Sequence, residues 1–271
     1  MNRQLRHTTG ARERVGENAR HAFALRHALA IHRAESIATF IPKNGSTSLR
    51  IAVATANGVA AGFDDATMVR SSPSPSYAQA DLRDLARASF TFAIIRDPFE
   101  RLSSAYLDKI VERRPEFWPF YRSVRTAALD HPEKLTFRRF VELMGKPRNR
   151  KANPHWRPQV DFLVYRRYDL LIPLERLEEH RQLLRERATL ELLPGGLETN
   201  YRNTRFENVD GAFADAQPET IRSMRFNDGR SPAHTAMYDD EMRELARECY
   251  EEDVALYRAA TEMSRANDGT V

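Results

Sequence analysis

Apolar and polar positions follow two periods along this chain, and the clearest signal is the apolar run Phe90 to Ile95. It is rich in β-formers and predicts a strand buried on both faces. Asp97 and Pro98 then supply a cap and a first helical residue, predicting a helix that runs to Arg113. Upstream, Ser36 to Ile41 predicts a short strand, a loop follows from Pro42, and Leu49 to Ala61 predicts a helix closed by Gly62. His21 to Arg33 has helical spacing, with Phe23, Leu25, Leu29 and Ile31 among charges. Ala78 to Arg87 and Leu135 to Gly145, the latter opened by Thr136, predict short helices, and Pro115 to His131 predicts partial helix. Asp161–Val164 and Asp169–Pro173 predict short strands, Leu174 to Leu193 a charged amphipathic helix, and Asp239 to Ala260 a long helix. Residues 1–20 read as a loose Arg-rich arm, Asp64 to Tyr77 as a Ser/Pro-rich loop, and Asn200 to Pro232 as mostly loop.

Strand, loop, helix, strand, helix in the first half predicts an α/β fold, with a P-loop-like parallel sheet flanked by helices in a single domain. Residues 1–35 form the basic arm and helix, 36–262 the domain, and 263–271 a tail. Ligands of such sheets sit at the carboxyl ends of the strands. Lys43 and Arg96 both fall at such ends.

Composition narrows this picture. Hydrophobic residues make up 41%, enough for a core, and 42 Lys plus Arg against 38 Asp plus Glu leave a formal charge of +4. That small excess suits an anionic ligand and is weak evidence for nucleic acid, which is not the expected partner. The single cysteine, Cys249, excludes an intramolecular disulfide and a Cys-rich zinc site, and no metal is expected. No apolar run approaches the roughly 20 residues that span a bilayer, so membrane contact, if any, is peripheral. Ala22 to Ile31 is interrupted by Arg26 and His27 and does not read as a signal peptide, so the expected location is the cytoplasm.

The candidate chemistry starts at Thr39-Phe40-Ile41-Pro42-Lys43-Asn44-Gly45-Ser46-Thr47-Ser48-Leu49-Arg50. Glycine lets backbone approach a ligand closely, a helix N-terminus offers unpaired N–H groups and a favourable dipole, lysine adds charge, and hydroxyls donate hydrogen bonds. The stretch is suited to an anionic oxygen cluster, although an ordinary strand-to-helix turn has similar residues. It is not the GxxxxGK[ST] motif, because its lysine precedes its glycine. The second stretch is Phe92-Ala93-Ile94-Ile95-Arg96-Asp97-Pro98-Phe99-Glu100-Arg101-Leu102-Ser103-Ser104-Ala105-Tyr106. Arg96 offers a forked donor for a phosphate, and Ser104 follows about two helical turns later. The alternatives are an Arg96 paired with Asp97 or Glu100 and a Ser104 that merely packs.

Together the two stretches resemble the paired nucleotide-binding signatures of sulfotransferases that use 3′-phosphoadenosine 5′-phosphosulfate (PAPS). The second has the RDPFERLxSAY form of the carbohydrate, membrane-type and bacterial members. Asn153-Pro154-His155-Trp156-Arg157-Pro158-Gln159 resembles their HWxPQ segment, and Tyr250-Glu251-Glu252-Asp253-Val254-Ala255-Leu256-Tyr257 their YxxDxxLY ending. The resemblance covers residues 36 to 260 and is loose from Pro115 to Asn149. It implies the sulfotransferase fold, with PAPS as co-substrate and a small-molecule or glycan hydroxyl as acceptor. Lys43, Asn44, Gly45, Ser46, Thr47 and Ser48 would hold the 5′ phosphosulfate, and Arg96 and Ser104 the 3′-phosphate. Lys43 would be catalytic, and His155 would take the acceptor proton, as a neutral imidazole can near neutral pH. Glu175 and Asp161 are alternative bases, and Arg148, Arg150, Lys151 and Arg157 form a basic cluster around His155. A phosphotransferase using ATP or GTP and a non-enzymatic nucleotide-binding or nucleic-acid-binding module are the competing readings.

Overall fold

A computed structural model describes residues 3–8, 14–59, 77–192 and 206–268. The chain gathers into two compact units. Met1–Arg96, Gln159–Thr199 and Ala255–Val271 form the first, and Asp97–Pro158 with Asn200–Val254 the second.

The first unit is built on a four-stranded sheet in the order β1 (Ala28–Ile31), β2 (Ser36–Thr39), β3 (Phe90–Ile95), β4 (Leu170–Pro173). β2, β3 and β4 are parallel, and β1 pairs antiparallel with β2 from Ala28 opposite Thr39 to Ile31 opposite Ser36. Every residue of β3 is buried, as its apolar run requires. Period-two alternation divides its side chains between two cores. Phe90, Phe92 and Ile94 pack with Leu49, Val53 and Leu184, whereas Ala93 and Ile95 pack with Leu85, Phe162 and Ala260. The result is the parallel-rich α/β sheet flanked by helices that the sequence implies.

The stretch from His21 to Arg33 is not one helix. A helix over Ala19–Leu25, capped by the Asn18 side chain, gives way to β1 and a 3-10 turn at His32–Ala34. Ala28 and Ala30 enter one core while Leu29 and Ile31 enter the other, so sheet pairing outweighs their helical propensity. Nor are residues 3–8 loose. Arg3 donates to the carbonyls of Ala88 (2.7 Å) and Ser89 (3.0 Å) and to Asp169 (2.7 Å), and Arg6 N–H donates to Val164 C=O.

The helix after β2 spans Ser46–Ala56, three residues earlier than its apolar pattern suggests, because Gly45 at φ 69° begins it. It ends before Gly58, and the predicted Gly62 stop lies outside the described residues, as does the Ser/Pro stretch up to Ser76. Asp161–Val164 is not a strand, since Gln159–Phe162 forms a 3-10 turn. Leu174 onward divides into a 3-10 segment (Leu174–His180) and an α-helix (Arg181–Ala188).

The second unit packs around Tyr106, Phe117, Phe120, Phe137, Phe140 and Trp156, all buried. Its first helix, Pro98–Tyr106, runs into a π-helical turn at Leu107–Val111. Asn200–Pro232 is not mostly loop. Among its described residues, Pro218–Asn227 is a helix, and Glu207–Val209 pairs in parallel with Arg230–Pro232. The predicted long C-terminal helix breaks at Tyr250 into Asp240–Cys249 and Glu251–Asp268.

Candidate active site

Three features of the loop between β2 and its helix suit an anion. Lys43 adopts φ 75° and Gly45 φ 69°, both in the left-handed region, where a lysine is strained. The helix beginning at Ser46 has no side-chain cap, so its first N–H groups remain available. Ser48, in that first turn, is 3% exposed, and its hydroxyl has no hydrogen-bond partner. Lys43, Gly45, Ser46 and Thr47 are half-buried around it.

The structure brings Arg96 to this loop. Its Nη1 donates to the Lys43 carbonyl at 3.2 Å, so the residue next after β3 touches the loop that follows β2. Asn44 is buried, and its side-chain amide donates to Ile94 C=O (2.8 Å) and Gln159 Oε1 (2.6 Å), bracing the loop against β3. Gln159 completes the brace by accepting from Arg96 N–H (3.1 Å) and donating to Arg96 C=O (2.8 Å). No role for Gln159 follows from its residue type. The available signal was its place at the end of the Asn153–Gln159 segment.

Ser104 belongs to the second unit, on the helix that starts two residues after Arg96. It is completely buried, and its Oγ has no hydrogen-bond partner. Its neighbour Ser103, equally buried, lies within bonding distance of Phe99 C=O (3.0 Å), Glu100 C=O (3.1 Å) and His234 Nδ1 (2.8 Å). A helical serine ordinarily bonds back along its own helix in this way.

His155 also belongs to the second unit. Asn153 Oδ1 accepts its backbone N–H at 2.9 Å and lies 2.8 Å from its Nδ1. Because that oxygen only accepts, Nδ1 carries the hydrogen, and a neutral ring has its lone pair on Nε2. The segment around it is held rigidly. Trp156 is buried, with its indole N–H on Asn149 C=O (3.0 Å), and its own carbonyl receives Tyr250 O–H at 2.7 Å. Arg101, only 2% exposed, donates to the carbonyls of Pro154 (3.1 Å) and Arg157 (2.8 Å). Its burial gives Arg101 a positioning role that its place in a charged motif conceals.

Both alternative carboxylates have other surroundings. Glu175 accepts a hydrogen bond from Tyr257, and Asp161 lies close enough to His7 to favour its protonated form. In the basic cluster, Arg150 donates to Met144 C=O at 2.7 Å, and Arg148 and Lys151 are exposed. Among the described residues, no group of three or more His, Cys, Asp or Glu side chains is placed to hold a metal ion, and no helix is long and apolar enough to cross a membrane.

The profile of the sulfotransferase family matches residues 27–258. The chain is 29% identical over 173 residues to carbohydrate sulfotransferase 10 of Xenopus laevis, covering 55% of this chain and 47% of that protein. It is 36% identical over 83 residues to the human protein of the same name, covering 28% of this chain and 23% of the relative. The chain thus aligns with less than half the length of these curated relatives. No solved structure matches it significantly. Since the profile match runs from β1 into the C-terminal helix and takes in both candidate stretches, the chain belongs to the sulfotransferase family.

Proposed function

We propose that this protein transfers a sulfuryl group from PAPS to a hydroxyl of a carbohydrate acceptor. Family membership supports sulfuryl transfer, and relatives named carbohydrate sulfotransferases support the acceptor class. The observation that carries the choice of donor is Ser104, whose hydroxyl is fully buried with no partner. A buried polar group left unsatisfied costs about 1–3 kcal/mol, which a ligand oxygen would offset. Ser48 repeats the pattern in the Lys43–Ser48 loop.

In this reading PAPS supplies an electrophilic sulfur and a phosphate leaving group. The uncapped helix N-terminus, Ser48 and Lys43 hold the 5′ end, and Lys43 balances the charge that develops on the departing phosphate. Arg96 and Ser104 hold the 3′-phosphate. His155, with Nδ1 fixed by Asn153, takes the acceptor proton on Nε2. The products are a sulfate ester and adenosine 3′,5′-bisphosphate.

The test is transfer of labelled sulfate from PAPS to a panel of glycans. Transfer is expected, and Lys43→Ala should lower it on the order of 100-fold or more while the protein stays folded. Absence of transfer to every glycan, with transfer to a simple non-sugar alcohol, would overturn the acceptor class.

A further inference from the structure

One carboxylate stands beside His155 without bonding to it. Glu116 Oε1 lies 3.8 Å from His155 Nδ1, too far for a hydrogen bond but within direct charge range. The hydrogen-bonding place on Nδ1 is already taken by Asn153 at 2.8 Å. Glu116 is itself held. Its Oε1 pairs with Lys109 Nζ at 3.0 Å, and its Oε2 is buried without a hydrogen-bond partner. Lys109 stands on the π-helical turn Leu107–Val111, the continuation of the helix that carries Ser104, and such turns often mark functional sites. Lys109 also lies 3.5 Å from Asp108, which in turn faces Arg114 at 3.6 Å. Glu116, Lys109, Asp108 and Arg114 thus form a linked set of charges on this side of the ring.

We propose that Glu116 is a positioning residue for His155, stabilising the imidazolium as the acceptor proton arrives on Nε2, and that Lys109 sets the strength of this effect. The proposal rests on the reading of His155 as the base. The division of labour is physical. Asn153 fixes the tautomer through a hydrogen bond, while Glu116 contributes charge that matters only once the ring becomes positive. A neutral imidazole feels Glu116 weakly, and a protonated one feels it strongly, so the interaction belongs to the state in which the proton has moved. At 3.8 Å the attraction between opposite charges is direct, and it strengthens as the setting becomes less polar than water. Lys109, beside the same oxygen, partly neutralises Glu116 and so moderates its pull on the ring.

The test follows the His155 ring by NMR titration, assigned through loss of its signal in His155→Gln, alongside the pH profile of kcat. Glu116→Gln is isosteric and removes only charge. It should lower the His155 midpoint by about one unit and move the acidic limb of kcat down with it. It should also reduce the plateau several-fold, leaving KM for the donor unchanged. Lys109→Met should move the midpoint the opposite way. A His155 midpoint unmoved in both variants overturns the inference by itself, whatever the base. A midpoint that moves while the kcat limb stays in place removes His155 as base, and the proposal with it.

Discussion

Gln159 and Arg96 exchange two hydrogen bonds, the side-chain amide of one meeting the backbone of the other. Gln159 Oε1 accepts from Arg96 N–H at 3.1 Å, and Gln159 Nε2 donates to Arg96 C=O at 2.8 Å. Gln159 thus satisfies the backbone of Arg96, the residue next after β3, much as a pairing strand would. The same Oε1 takes the Asn44 amide at 2.6 Å, so one fully buried side chain fixes both the loop after β2 and the end of β3. Gln159→Ala removes these three bonds and leaves the Asn44 amide buried without this partner. A loss of about 2–4 kcal/mol in urea unfolding is expected, with weaker binding of adenosine 3′,5′-bisphosphate. Unchanged stability would show that water replaces the amide.

Ser103 and Ser104 are adjacent, equally buried and opposite in their bonding. Removing an unsatisfied hydroxyl should not destabilise the protein, whereas removing a bonded one should. Ser104→Ala is therefore expected to keep or raise the melting temperature while weakening the 3′,5′-bisphosphate at least about tenfold, with 5′-AMP affinity unaffected. Ser103→Ala should lose about 1 kcal/mol of stability. Calorimetry and titration of the two variants side by side separate the roles.

Arg101 secures the His155 segment through two carbonyls. Arg101→Met keeps the length of the side chain but not the forked donor. The expected result is a kcat lowered about tenfold or more with donor affinity retained, because the segment it holds carries His155, the proposed base. Equal losses in kcat and donor binding would place Arg101 in the donor site instead.

His21 is 2% exposed, neither ring nitrogen has a hydrogen-bond partner, and burial holds its pKa below the usual 6.5. His7 shifts the same way, chiefly by burial and then by Arg6. The unfolded chain binds these protons near 6.5, and the folded chain only at lower pH. Stability is therefore complete above 6.5 and falls as the pH drops below it. The melting temperature should fall as the pH drops from about 6.5 toward about 5, and His21→Phe should make that fall smaller. An equal fall in the variant would assign the acid sensitivity to other groups.

The elements legible in the sequence were those whose local signals agree with their tertiary setting. Phe90–Ile95 is apolar throughout and buried throughout, and Asp97 and Thr136 cap helices through their side chains as their spacing suggests. β1 was hidden because Ala28-Leu29-Ala30-Ile31 suits a helix locally, and only a partner strand makes it extended. The helix Pro218–Asn227 was hidden because Arg225 reads as a surface residue. It is in fact buried, 3.1 Å from Glu112 and donating to Leu107 C=O. Tyr250 breaks the C-terminal helix with no proline or glycine to announce it, and its hydroxyl reaches the Trp156 carbonyl instead. In the candidate site, charge and glycine pointed to the loop and to Arg96. The neutral brace of Gln159 carries no such signature, because its role lies in whom it touches.

A nucleotide gripped at both ends is the centre of the proposed function. The direct measurement is calorimetric affinity of the wild-type protein for adenosine 3′,5′-bisphosphate, 5′-AMP and ATP, with EDTA present. The bisphosphate should bind at least about tenfold more tightly than 5′-AMP, the difference that one charge-assisted contact supplies, and more tightly than ATP. Equal affinity for 5′-AMP and the bisphosphate would contradict the account.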